Sequence, residues 1–233
     1  MLKGGSAFVV LFTLILQSCT AINADLKGAE LVYTPDKMVL NLPSGKQVNL
    51  LNVPDVYHYY NYSSGHTALQ AIFSYYQFPT DASKYREDTF NEPTDYDQNQ
   101  FSPPEKLVEA AYRKLSGETD PEKQNVFDIQ VKEELSIDEL KSYIDRSVPI
   151  ILLITKKPTA DIGAYVVAIG YDSEYFYFED PYKMGSIGYL PKNEFEEVWK
   201  NYIKSQKRQT KHLAIIMKFK KNRLIVPLVR PCP

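Results

Sequence analysis

Apolar and polar positions alternate with a period of two over residues 37–42 and 46–51, and Pro43-Ser44-Gly45 interrupts them. This spacing predicts a β-hairpin. From residue 63 the period changes: Leu69, Ile72, Phe73 and Tyr76 recur at helical spacing, with Ser63 or Ser64 as the start and cap of the helix. Residues 79–103 are polar, with scattered Pro, Asp and Asn, and read as a long surface loop. Pro103-Pro104 then opens a second helix that aligns Leu107, Ala111 and Leu115 and stops at Gly117. Ser136 and Glu139 have capping-box spacing ahead of a third helix, with Ile137, Leu140 and Ile144 on one face.

Beyond residue 149 the pattern is that of a sheet. Residues 150–154 form a continuous apolar run, as a strand buried on both faces does, and residues 164–171 and 175–179 predict two more strands around Asp172-Ser173-Glu174. Pro191 opens a last helix that aligns Phe195, Val198, Trp199 and Tyr202, and residues 213–219 and 224–229 close the chain as strands. Helices come first and a mostly antiparallel sheet follows, so the fold class is α+β. The pattern predicts one domain over residues 37–233, with residues 25–36 as a tether leading into it.

The chain has 233 residues, 44% apolar and 24% charged, which suits one globular domain with its own core. A net charge of -2 argues against nucleic acid as a partner, because phosphate binding needs surplus clustered Lys and Arg. His58, His66 and His212 show no ligand spacing, so neither a metal nor another cofactor is expected. Tyrosine is abundant, at 18 residues, and concentrates in Tyr57-His58-Tyr59-Tyr60-Asn61-Tyr62. Tyrosine grips an extended chain at low entropic cost, which makes Tyr59, Tyr60 and Tyr62 candidate binding residues. The alternative is that alternate tyrosines of this loop pack into the core.

The N-terminus carries Lys3 and then an apolar run over residues 7–16, too short to anchor as a bilayer-spanning helix, as in an export signal. Leu16-Gln17-Ser18-Cys19 resembles the lipobox of bacterial lipoproteins. The resemblance implies a signal peptide over residues 1–18, a lipidated Cys19 at the head of a segment 19–36, and a membrane anchor in the cell envelope. Cleavage after Ala21 or Ala24 is the alternative and would release a soluble protein. The only other cysteine, Cys232, sits in a Pro-Cys-Pro tail.

Three stretches carry a further resemblance: VPDVYHYYNYSSGHTALQAIFSYY from Val53, LSIDELKSYIDRSVPIILLI from Leu135, and GAYVVAIGYDSEYFYFEDPYKMGSIGYLPKNEFEEVW from Gly163. In that order and spacing they resemble the double-glycine leader peptidases, papain-like cysteine peptidase domains of bacteriocin exporters and their free-standing relatives. The likeness runs over about residues 50–205 and implies a papain-like fold. In that family a cysteine at a helix head is favoured as thiolate by the helix dipole, and a histidine on a neighbouring strand keeps it charged. An Asp or Asn orients the imidazole and a glutamine helps bind the oxyanion.

Residue by residue, the resemblance puts Ser64 at the cysteine position, followed by Gly65 and by His66 in place of proline. It puts Ala164 at the histidine position, His58 near the glutamine, and retains Asp180, in Asp180-Pro181. A serine needs a base and Ala164 is none, so the expectation is a pseudo-peptidase that binds a peptide or protein segment without cutting it, in a cleft that includes Ser64 and Gly65. Two other readings stay open: a hydrolase in which His58 folds back as base for Ser64, and a structural envelope protein whose cleft is filled by its own side chains. The simplest structural roles are Ser64 as a helix cap, His66 as an exposed first-turn residue, His58 as a loop residue and Asp180 as a turn residue.

Overall fold

A computed structural model of the chain describes residues 28–33, 37–56, 64–78, 102–116, 126–157, 162–181, 187–203 and 208–220. Strands β1 (Glu30–Tyr33), β2 (Met38–Asn41) and β3 (Gln47–Leu50) form a three-stranded antiparallel sheet in that order. The predicted hairpin is β2–β3. It closes through Gly45 at φ +81, a conformation that glycine adopts without a Cβ clash, and Leu42 N–H donates to the Lys46 carbonyl at 2.8 Å. β1 lies in the segment read as a tether. It escapes a pattern search because none of its four residues is buried, and it joins the sheet through pairings such as Leu31 with Leu40.

The main sheet has six strands in the order β4-β11-β5-β6-β7-β8, every neighbouring pair antiparallel. These are β4 (Phe127–Lys132), β5 (Ile150–Lys157), β6 (Ile162–Tyr171), β7 (Tyr175–Glu179), β8 (Ile187–Pro191) and β11 (Ala214–Phe219). Successive side chains enter opposite cores: Leu153, Tyr165, Val167 and Tyr177 one, Leu152, Val166, Ala168 and Phe176 the other. Helices α1 (Ser64–Tyr75) and α2 (Pro104–Ser116) contribute to the first core, and α3 (Ile137–Asp145) and α4 (Lys192–Val198) to the second. Burial on both faces explains the uninterrupted apolar run of β5.

The predicted capping box opens α3: Ser136 Oγ accepts from Glu139 N–H at 3.2 Å and the Glu139 carboxylate accepts from Ser136 N–H at 3.0 Å. The small sheet is seated on β6, where Leu51 N–H donates to the Ile169 carbonyl at 2.8 Å. Leu50 covers Gly170, at which an added Cβ would lie 2.3 Å from Leu50 Cδ2.

The last helix is shorter than its spacing predicts. α4 ends at Val198, and Tyr202 belongs to β9 (Lys200–Ile203), which pairs with β10 (Arg208–Lys211). The reason is Trp199, fully buried between Phe195 at 5.0 Å and His212 at 4.6 Å, with its indole N–H donating to the Leu213 carbonyl at 3.0 Å. That anchorage turns the chain out of the helix. The strand expected over residues 224–229 lies outside the described residues, as does most of the polar stretch 79–103.

Helices α1 and α3 end alike. Phe78 N–H donates to the Phe73 carbonyl at 2.9 Å and Gln77 N–H to that of Ser74 at 3.0 Å; Val148 and Ser147 repeat this on Tyr143 and Ile144. These are Schellman motifs, with Gln77 (φ 60) and Ser147 (φ 59) in the left-handed position that glycine fills at lower cost. Gln77→Gly is therefore expected to raise the unfolding free energy by about 0.5–1 kcal/mol in urea titrations, whereas Gln77→Ala gives no gain.

Candidate functional site

Ser64 and Gly65 are the first two residues of α1, and both are buried. Gly65 sets how closely the helix head approaches its neighbours: a Cβ there would lie 2.7 Å from Leu107 Cδ1 of α2 and 3.0 Å from Tyr165 Cδ2 of β6. The close approach delivers Ser64 to the edge of β6. β7 pairs with β6 only from Val167 onward, which leaves the Tyr165 N–H to another acceptor. Ser64 Oγ takes it at 3.1 Å. The serine hydroxyl thus turns to the sheet. One residue along β6 is Ala164, buried as the cross-strand neighbour of Ile154.

The structure therefore brings together Ser64, Gly65 and the strand that carries Ala164. Tyr165 completes the junction. Its hydroxyl donates to the Ser102 carbonyl, just ahead of α2, at 2.7 Å, and burial pushes its pKa well up.

His66 departs from the sequence reading. It is 3% exposed, because the whole first turn of α1 is packed inside, and burial pushes its imidazole down to about 3. It is neutral at physiological pH and a weak base. Asp180, at the end of β7, is buried at 2% exposure and precedes Pro181. His58, Tyr59, Tyr60, Tyr62 and Cys19 lie outside the described residues. No group of three or more His, Cys, Asp or Glu suited to a metal occurs among the described residues.

Beside Asp180 stands a residue that pattern reading missed. Glu179 is buried, and its Oε1 accepts from Val56 N–H at 3.1 Å. Burial raises its pKa to about 9; the Val56 N–H opposes this, and the charges of Asp55 and Asp180 add to it. At neutral pH Glu179 is a protonated acid that ties the segment ahead of α1 to the end of the sheet. The available signal was local: Tyr175-Phe176-Tyr177-Phe178-Glu179 places one carboxyl at the end of an otherwise aromatic strand.

Folding holds a proton on Glu179 that the unfolded chain, with the ordinary value of 4.5, releases. Its contribution is complete below about 4.5 and is lost as pH rises towards about 9. Glu179→Gln keeps the acceptor for Val56 and removes the titration. Thermal melts are expected to show the variant gaining on the native chain steadily from pH 5 to pH 9; parallel curves would mean an ordinary, ionised glutamate.

The model of the Peptidase_C39 like family matches residues 41–207. No curated protein matches the chain. Among solved structures, a putative C39-like peptidase from Bacillus anthracis is similar, with 18% identity and a TM-score of 0.51, over 75% of this chain and 100% of that one. The double glycine motif protease from an AMS/PCAT transporter, solved in complex with the leader peptide, is 16% identical over 73% of this chain and 94% of that one, with a TM-score of 0.48. The peptidase domain of Streptococcus ComA, a bi-functional ABC transporter involved in a quorum sensing pathway, is 17% identical over 70% of this chain and 95% of that one, with a TM-score of 0.49. The likeness to the Bacillus anthracis structure is one of fold, and it agrees with the papain-like α+β arrangement described above. With the family model covering most of the chain, the protein belongs to the Peptidase_C39 like family.

Proposed function

We propose that this chain is a non-cleaving member of its family, exported and anchored through a lipid on Cys19, whose cleft holds a peptide or protein segment. One observation carries the reading: Ser64 Oγ is fully buried and already engaged by the Tyr165 N–H, beside an alanine. A serine hydroxyl is a poor nucleophile until a base takes its proton. Ala164 offers none, and an imidazole with a pKa of about 3, as in His66, is too weak a base to do so. Losing even one member of a nucleophile–base pair typically removes several orders of magnitude in rate.

The binding half of such a domain does not depend on those groups. α1 keeps its positive dipole end at Ser64, and the tyrosine-rich loop directly precedes it in sequence. Tyr59, Tyr60 and Tyr62 suit an extended peptide, and Leu16-Gln17-Ser18-Cys19 supplies the lipidation signal.

The test uses the purified protein with fluorescent double-glycine leader peptides and a random peptide library. Saturable anisotropy without new fragments in mass spectra is expected of the native chain, and Ser64→Ala is expected to yield no fragments either. Cleavage that disappears in Ser64→Ala overturns the non-cleaving reading, and absence of any bound peptide overturns the binding one. In the producing cell, Cys19→Ser is expected to move the protein from the membrane to the soluble fraction; retention in the membrane would refute the anchor.

A further inference from the structure

A cavity of about 580 Å³ lies at the other end of α1, between β3, residues 51–54, the last turns of α1 and α3, and the end of β6. Ten residues of helix separate Ser64 from Ser74 on its wall, about 15 Å of rise, so the cavity stands apart from the site above. Its volume falls within the range of small-molecule sites.

Bonds within the fold set its walls. The Tyr75 hydroxyl donates to the Ser147 carbonyl at 3.0 Å, which fastens α1 to the end of α3, and its ring packs edge-on to Tyr76 at 5.1 Å. The Tyr171 hydroxyl lies 2.8 and 3.0 Å from the two oxygens of Asp145, and its ring packs on Phe176 at 6.0 Å. Two aromatic rings are thus oriented before any ligand arrives, which lowers the ordering cost of binding.

The charges in the wall are balanced. Asp172 accepts from Lys46 Nζ at 2.9 Å, from the Tyr177 hydroxyl at 3.0 Å, and from the Glu174 and Tyr175 N–H groups at 2.7 and 2.8 Å. Burial raises its pKa, and these four bonds together outweigh that and hold the carboxyl below its usual range. Lys37 and Asp145 add one charge of each sign. Such a wall favours neither an anion nor a cation. The other polar residues of the lining are neutral, namely Gln47, Asn49, Asn52, Ser74 and Ser147, and a carboxamide offers both donors and an acceptor. The complementary ligand is uncharged, carries hydroxyls that both donate and accept, and has apolar faces for tyrosine rings.

We propose that this cavity binds a neutral saccharide, with Tyr75 and Tyr171 against its ring faces and Asn49 and Asn52 on its hydroxyls. The site is separate from the proposed peptide cleft and does not rest on it.

The experiment titrates the isotopically labelled protein with maltose, cellobiose and N,N′-diacetylchitobiose and follows amide NMR signals. At least one disaccharide is expected to shift the signals of Asn49, Asn52, Ser147 and Tyr171 saturably. Asn49→Ala, at an exposed position, and Asn52→Ala, at a half-buried one, are each expected to weaken that binding about 5–10-fold, the loss of one or two net hydrogen bonds. Neither variant should change peptide binding at the Ser64 end. The proposal is overturned if none of the disaccharides shifts these signals at about 10 mM, if both variants bind as the native chain does, or if only peptides move these signals.

Discussion

Tyr165 is the residue on which the arrangement depends. It sits fully buried in the middle of the chain's central strand and makes three connections from that one position. Its N–H reaches Ser64, its hydroxyl reaches Ser102, and its ring lies against Gly65. A buried donor left without an acceptor costs about 1–3 kcal/mol, so the heads of α1 and α2 are both held by polar groups that need each other. This gives a physical reason for a hydroxyl at position 64 that has nothing to do with catalysis. An alanine there would strand the Tyr165 N–H, while a serine satisfies it.

The same packing accounts for the unusual protonation states at this end of the sheet. His66 and Glu179 are both drawn into an interior that disfavours charge, and both are neutral near pH 7.

Much of the fold was legible because its signals are local. The capping box at Ser136 and Glu139, Gly45 in the β2–β3 turn and the apolar periodicity of α1 and α2 each specify an element without reference to the rest of the chain. β1 and β10 were not legible, because short strands with few buried positions leave no alternation to read; β4, β8 and β9 were missed as well, β4 although Phe127, Ile129 and Val131 alternate with polar residues. Tyr202 matched a helix by spacing, and only the burial of Trp199 against His212 shows why the helix stops earlier. The site was legible through resemblance: Ser64 and Ala164 lie a hundred residues apart, and nothing local says that the Tyr165 N–H will meet Ser64. His66 was misread for a related reason, since the exposure of a helix face depends on what packs over it.

The contact between Leu50 and Gly170 has an evolutionary consequence. A methyl group at position 170 would overlap the Cδ2 end of Leu50, so a side chain there asks that end of the leucine to turn aside. A lineage that gains a side chain at 170 must turn the end of Leu50 aside or shorten that residue, and shortening alone leaves a void between the small sheet and β6. Because that contact seats the whole N-terminal sheet, the pair forms a ratchet: either change alone is disfavoured, and the present combination tends to persist once reached.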